Sequence, residues 1–437
     1  HWRGNTSLEI ITHVITGQRN SVQFINTPNI ADTFNTGLGS YNPRQVDRDY
    51  YNGFTTEARL QQTYRLGRAK GIITGGLRYF NQLTKRRQKG VGTIGDDFDL
   101  SLTHDYGIDL RCHTRNYAAF AENLFQLSTR FSMTPGFRYE IINSNLDGKI
   151  NNVTFPVSYT GHRTFPLFGL GLQYQANRFS QWYGNISQAY RPFLYANITP
   201  ADQVGVIDPG LRDSKGYDVD LGYRGNYLNV FKFDVNLFYL YYGNHVGQLT
   251  LKNEQSNTNY LYTTNIGNSI AKGVEAYFEI SILKLIFDGN AGTDIAFFNA
   301  LSYDNAKYVS GSMNYGGKNV DLTGKKVEGN PTWINRAGMV VRYKNFSSTM
   351  EFSYIGKSYS DANNTAFNVT GATGLVPSYH LLDWAFNLDF LKSYNLSGGI
   401  NNLANTRYFT RRINMYPGPG ILPGDGRIFY LSVGIRL

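Results

Sequence analysis

Several side chains with metal-binding chemistry fall together near residue 105: His104, Asp105, Asp109 and His113, with Asp96, Asp97 and Asp99 just before them. Imidazoles and carboxylates can hold a divalent cation, but this spacing is not that of a zinc site. An acidic, flexible loop is the expected state of the stretch. Ser, His and Asp all occur, yet no nucleophile elbow accompanies them. The Gly-rich piece at 311–317 lacks the Lys-Ser/Thr and helix of a phosphate loop. One cysteine, Cys112, can neither staple the chain nor build a Cys-rich metal centre. The Asn-X-Ser/Thr triplets at Asn185 and Asn197 are what chance provides in so Asn-rich a chain. No enzyme is expected, and no directly bound metal or cofactor.

The usable chemistry is basic. With 42 Lys+Arg against 32 Asp+Glu the chain carries a formal +10, and the cations cluster. Lys85, Arg86, Arg87 and Lys89 form one group and Arg407, Arg411 and Arg412 another, while Arg44, Arg48, Arg163, Arg191 and Arg212 are spread between them. The guanidinium fork suits carboxylates because it makes two parallel charge-assisted bonds, each contributing about 1.5–3 kcal/mol. Capture at nanomolar concentration needs about −12 kcal/mol, so four or more arginines, with Tyr or Gln contacts, would have to converge on an anionic ligand. A nucleic-acid partner is not expected, because the cations are dispersed and no binding motif accompanies them.

The elements that position these residues follow a period of two. Phe231, Phe233, Val235, Leu237, Tyr239 and Tyr241 alternate with Lys232, Asp234 and Asn236, so one strand face is apolar and the other wet. The pattern recurs at 346–354, at 382–390 and at 429–437. It gives about sixteen strands, near 5–14, 54–64, 71–80, 115–127, 131–142, 165–175, 181–190, 215–225, 229–243, 271–282, 289–302, 332–343, 346–357, 379–391, 394–404 and 427–437. Short gaps, around Gly67, Ser128, Asn177, Asn226, Leu285, Lys344 and Lys392, alternate with long ones: 15–53, 81–114, 143–164, 191–214, 244–270, 303–331, 358–378 and 405–426.

That alternation is the organisation of an all-β, antiparallel, up-and-down transmembrane β-barrel, with tight turns on one side of a bacterial outer membrane and long loops outside. The longest apolar run, Leu237–Tyr242, has six residues, whereas a membrane-spanning helix needs ~20. Mean hydropathy is −0.36 despite 33 Tyr and 28 Phe, since alternation hides a lipid-facing half inside a hydrophilic average. Tyr79, Phe80, Tyr241, Tyr242, Tyr408 and Phe409 are expected in interfacial girdles. A soluble β-rich adhesin or lectin would have to expose a row of Phe in nearly every strand, which monomers rarely do. The whole chain, 1–437, reads as one barrel portion.

Beyond the pattern, the residues resemble a family. Gln188-Ala-Tyr-Arg-Pro192, Asn197-Ile-Thr-Pro200, Asp208-Pro-Gly-Leu211, Gly216-Tyr-Asp-Val-Asp-Leu-Gly-Tyr-Arg-Gly225 and Lys272-Gly-Val-Glu275 resemble the late barrel of TonB-dependent outer-membrane receptors. So does the tail, with Asn401-Asn-Leu-Ala-Asn405, Tyr408-Phe-Thr-Arg-Arg412 and Gly426-Arg-Ile-Phe-Tyr430. Within that family, Arg19-Asn-Ser-Val22 and Tyr416-Pro-Gly-Pro-Gly420 are similar to receptors for ferric citrate and related chelates.

The resemblance implies active transport of a ferric chelate, with iron(III) as cargo. TonB would act through an N-terminal plug, and outer-membrane lipid and lipopolysaccharide would surround the wall. It implies that loops 191–214 and 244–270 close over the ligand, making Arg191, Gln203, Arg212 and Gln248 the first candidates for contact; Arg86, Arg87, Arg411 and Arg412 follow. Taken singly, each arginine could instead be a solvated loop charge or pair with lipopolysaccharide. Large transporters of this kind close with about 22 strands around a plug, so the expected sixteen are part of such a barrel, without the plug. A sheet left open would have two unpaired edges in lipid, and the segment alone is not expected to transport. Sixteen is also the strand number of a general-diffusion porin, the alternative that strand counting leaves standing.

Overall fold

A computed structural model describes all residues except 1–4, 27–29, 68, 95–96, 151–156, 200–205, 253–258, 287–291, 316–317, 370, 392, 414–419 and 436–437. Among the described residues the main sheet has twenty strands. Four of these are short loop pieces, Leu102–His104, Val206–Ile207, Lys307–Tyr315 and Lys318–Asp321, and the other sixteen are the wall. In chain order the wall strands are β1 (Thr6–Gln23), β2 (Pro43–Leu66), β3 (Ala69–Ile94), β4 (Ile108–Gln126), β5 (Phe131–Ile150), β6 (Val157–Asn177), β7 (Ser180–Arg191) and β8 (Ser214–Tyr227). They continue as β9 (Phe231–Lys252), β10 (Asn259–Ser281), β11 (Thr293–Asp304), β12 (Trp333–Tyr343), β13 (Phe346–Ile355), β14 (Tyr379–Phe390), β15 (Tyr394–Asn401) and β16 (Ile428–Ile435).

Each wall strand pairs antiparallel with the next, from β1–β2 to β15–β16. Among the described residues β1 and β16 each have one wall neighbour, so the sheet carries two edges. All sixteen expected strands are present, but several run further outward than their alternation shows. β3 has 26 residues, roughly 85 Å of chain at ~3.3 Å per residue, whereas a tilted strand crosses the bilayer core in about 9–11. Beyond the membrane both faces meet water, so backbone pairing persists while the apolar/polar alternation stops. Much of the expected loops 81–114, 143–164 and 244–270 is therefore strand. Likewise Lys272-Gly-Val-Glu275 lies inside β10 rather than opening it.

Polar side chains close the short turns. Ser128 Oγ accepts from the N–H of Arg130 (3.2 Å) and of Phe131 (3.0 Å), and Asn226 Oδ1 accepts from the N–H of Asn229 (3.0 Å). The connection from β10 to β11 is longer than expected and holds a helical turn, Ile282–Ile286.

The two faces have opposite chemistry. Leu77, Phe168, Leu237, Phe297 and Leu431 stand exposed on the lipid side, and Leu221 sits opposite Leu237 in the β8–β9 register. The lumen side is a hydrogen-bonded lattice. Tyr183 OH donates to Asp234 (2.7 Å) and Asn236 Nδ2 to Asp220 (3.0 Å), while Lys232 pairs with Glu279 (2.9 Å). The Tyr183 ring lies across Gly222 on the neighbouring strand, where a Cβ would sit 2.1 Å from the ring; only glycine leaves room. Tyr408 and Phe409 are not at the end of a wall strand. They belong to the connection 402–427, where Phe409–Ile413 pairs with Gly420–Pro423 and the Tyr408 ring stacks on Tyr379 at 4.6 Å. The Asn-Asn-Leu-Ala-Asn motif is the base of that connection: buried Asn402 donates to the carbonyls of Thr406 (2.9 Å) and Asp425 (3.0 Å).

Candidate functional site

The described parts of the connection between β7 and β8, 192–199 and 206–213, form a strap that leans on β4 and β5 at one end and on β10 at the other. Its first part includes the 3-10 turn Tyr195–Ile198. Ile198 is buried against Leu110, Cys112, Leu146 and Ile150, side chains of β4 and β5. Tyr195 OH donates to the His113 carbonyl (2.9 Å) and receives the Thr114 hydroxyl (2.8 Å). The last part docks on β10, where Val206–Ile207 pairs in parallel with Tyr262–Thr263. Asp208 accepts from Thr264 Oγ1 (2.5 Å) and from the Gly210 N–H (2.7 Å), which gives the Asp208-Pro-Gly turn its purpose.

An ion pair holds the strap's base. Arg163 Nε donates to Asp213 Oδ2 at 2.6 Å, its Nη atoms reach Ser144 Oγ and Tyr159 OH (3.2 Å each), and its guanidinium lies 4.5 Å from the Phe193 ring centroid. The Asp213 carboxylate also accepts from Tyr190 OH and from the Phe193 N–H. Two further cations of the sequence reading are spent on structure. Arg44 is buried between Asp32 and Asp97, 2.6 Å from each. Arg412 clamps the neighbouring loop through the carbonyls of Leu375 (3.1 Å) and Gly371 (3.0 Å).

Beneath the strap lies a cavity of about 400 Å³, walled on the lumen side by Arg78, Asn116, Arg138, Glu140 and Arg163 and roofed by Phe193, Leu194 and Tyr195. Arg138 is paired with Glu140, whose other oxygen accepts from Asn116 Nδ2 (2.5 Å). Arg78 is less committed: its closest carboxylate, Glu57, is 3.9 Å away, and its Nε is buried with no hydrogen-bond partner among the described residues. Arg78 and Arg138 were not among the sequence candidates because those were drawn from loops. Their signal was strand parity: Arg78 and Arg138 fall on the face opposite Leu77 and Phe137, both exposed to lipid.

The candidates named from sequence are spread over the mouth. Arg86 and Arg87 lie on β3 rather than in a loop. Arg86 shares the inward face of Arg78 and stands 4.0 Å from Asp49, itself 1% exposed and bonded to Arg19 (2.9 Å) and Gln88 (3.0 Å). Arg87 shares the outward face of Leu77, pairs with Asp109 (3.3 Å) and approaches the Tyr106 ring. Arg191 ends β7 and donates to Tyr242 OH (3.4 Å). Arg212 has its backbone N–H and carbonyl both bonded to the Asn265 amide, 2.8 Å each. Gln248 is exposed on β9 opposite Thr263, and Arg411 is exposed on the Phe409–Ile413 strand. Gln203 lies outside the described residues.

Near Arg191, His245 contacts Ser269 Oγ (2.7 Å) and packs on Tyr242 and Tyr308. Burial, with Arg191 close by, lowers its pKa from 6.5 to about 4. Around residue 105 the acidic loop is partly ordered: Leu102–His104 pairs with β3, and Asp109 and His113 belong to β4. Among the described residues no group of three or more His, Cys, Asp or Glu could hold a metal ion.

A sixteen-strand antiparallel wall with a polar lumen, tight turns at one end and a strap over an arginine-bearing mouth at the other defines a large outer-membrane β-barrel. The family model "TonB dependent receptor-like, beta-barrel" matches residues 3–403, and the chain belongs to that family. Membership places the chain in the bacterial outer membrane, among receptors and not among general-diffusion porins. Solved structures share the fold. The ferric citrate transporter FecA in its unliganded form is 18% identical with a TM-score of 0.77, over 100% of this chain and 60% of its own. The siderophore receptor PiuA from Acinetobacter baumannii is 17% identical at 0.73, over 99% and 62%, and the copper transporter OprC is 14% identical at 0.71, over 99% and 63%. The chain thus spans about three fifths of the length of these relatives. No curated protein matches it in sequence.

Proposed function

We propose that this chain is the barrel wall and extracellular binding mouth of a receptor that imports a ferric chelate, ferric citrate or a related carboxylate, with TonB supplying the energy through a plug region. The supporting observation is the cavity under the strap. Arg78 and Arg138 line it, and Arg78 keeps a buried N–H with no partner among the described residues. A buried donor left unmade costs about 1–3 kcal/mol, more when charged, so an anionic oxygen placed there regains that cost as well as making the bond.

In this reading Arg78 and Arg138 contact the chelate's carboxylates. Arg86, Arg191, Arg212, Gln203, Gln248 and Arg411 supply the surrounding field and the contacts made on closure. Arg163 and Arg412 position the strap and the neighbouring loop, and Arg87 stands outside the mouth. The Fe(III) is cargo held by its chelator, and the protein recognises the chelator's charge. The strap 192–213 and the outer ends of β9 and β10, already joined at Val206–Ile207, close together over the ligand. Radiolabelled iron-citrate uptake by cells carrying the complete gene tests the reading. Uptake is expected to stop when TonB is deleted, and uptake that continues at the same rate without TonB contradicts it.

A further inference from the structure

β6 and β7 separate before they reach the outer rim. Their ladder runs from Asn177↔Ser180 to Gly169↔Ser187. Above that point no pairing between them occurs among the described residues, although β6 continues along β5 and β7 continues along β8 to Arg191. The wall has a seam there, and side chains close it. The Phe168 N–H donates to Gln188 Oε1 (3.1 Å) in place of a ladder bond, and the Phe165 and Tyr190 rings stack with centroids 3.6 Å apart.

Outside this stack lies a crevice of about 620 Å³, lined chiefly by Phe168, Leu170, Ile186 and Tyr217, with Gln188 and Lys215 beside them. It opens on the lipid side, because Phe168, Ile186 and Tyr217 are exposed on the same face as Trp182 and Leu221. Its depth follows from chain length. Tyr217 stands near the outer end of β8, which runs inward to Tyr227, about the span a tilted strand needs to cross the apolar band. The crevice therefore straddles the outer boundary of the hydrocarbon, and Lys215, two residues further out and exposed, stands at headgroup level. No ion pair of its ammonium occurs among the described residues.

An unfilled hollow facing lipid forfeits its dispersion contacts, and an unbranched acyl chain is the material at hand to fill it. Lys215 supplies a compact positive charge where a lipid carries phosphate. We propose that this crevice is a binding site for one acyl chain of a phosphate-bearing outer-membrane lipid, with the phosphate on Lys215. The chain packs against the Phe165–Tyr190 stack. Because Tyr190 OH also donates to Asp213, the bound lipid steadies the base of the strap from outside the barrel.

The test uses the receptor expressed from its complete gene, purified in detergent, stripped of lipid and titrated with lipid A by native mass spectrometry. Wild type is expected to retain one lipid A per protein. Lys215→Glu, an exposed substitution that leaves the wall intact, is expected to lower occupancy about tenfold, and Ile186→Trp, which fills the crevice, to abolish it. Leu237→Ala, a lipid-facing control on β9, is expected to retain lipid as wild type does. Equal retention by all four proteins, no retention by wild type, or displacement of the lipid by inorganic phosphate alone would overturn the proposal.

Discussion

Arg86 and Arg87 are neighbours in sequence and stand on opposite sides of the wall: Arg86 faces the mouth beside Asp49, and Arg87 faces outward and pairs with Asp109 at 3.3 Å. Strand alternation enforces this, since the β3–β4 register is unbroken from Lys70 to Gln88. In the proposed function, removing one charge weakens chelate binding and removing the other does not. Arg86→Ala is expected to raise the dissociation constant for ferric citrate about tenfold, the equivalent of ~1.4 kcal/mol. Arg87→Ala should stay within about twofold. Titration calorimetry on the complete receptor checks both.

Asp213 ties the strap to the wall through a buried pair, with side-chain exposures of 8% for Arg163 and 11% for Asp213. Removing one partner leaves the other charge buried and uncompensated, at about 3–5 kcal/mol. Asp213→Ala is expected to speed amide exchange in 192–199 strongly while leaving the membrane-spanning part of β8 and β9 protected. Hydrogen exchange read by mass spectrometry separates this local release from general loss of fold.

Cys112 is a built-in reporter of strap position. It is buried beneath Ile198, and burial pushes its thiol pKa up to about 11. At pH 8 the thiolate, which is the reactive form, is scarce as well as shielded. Alkylation of Cys112 by maleimide should be slow in wild type. Tyr195→Phe, which forfeits the hydrogen bond to the His113 carbonyl, should accelerate it several-fold. Equal rates in the two proteins would show that Tyr195 does not hold the strap down.

His245 makes the rim sensitive to acid. Its folded pKa is depressed from 6.5 to about 4, so below pH 6.5 the unfolded chain binds a proton that the folded one resists. Stability is therefore full above about pH 6.5, falls as the pH drops, and levels off below about 4. Thermal melts across that window should show a steeper decline for wild type than for His245→Gln, which cannot titrate.

Much of the fold was legible because the bilayer imposes a period of two and the two sides of the membrane impose different connections. Phe231 to Tyr241 read as a strand, and the structure places them on one. Legibility ended where the membrane ended. β3 above Tyr79 and β9 above Tyr242 have water on both faces, so Arg86, Arg87 and Gln248 read as loop residues although their backbones are paired. The site was harder. Composition located the arginines, but which of them meet an internal carboxylate depends on contacts between distant segments, such as Arg163 with Asp213 and Arg44 with Asp32 and Asp97. Arg78 and Arg138 were overlooked because they sit within strands, and only the inward parity of those strands marks them.

In the proposed function the cavity under the strap captures an anionic ferric chelate through Arg78 and Arg138. The most direct measurement is equilibrium binding of ferric citrate to the complete receptor carrying Arg78→Ala and Arg138→Ala together, beside wild type and Arg87→Ala. Two charge-assisted contacts at about 1.5–3 kcal/mol each predict at least about a hundredfold loss of affinity for the double variant and near-wild-type binding for Arg87→Ala. Unchanged affinity in the double variant, with the barrel folded, would contradict the account.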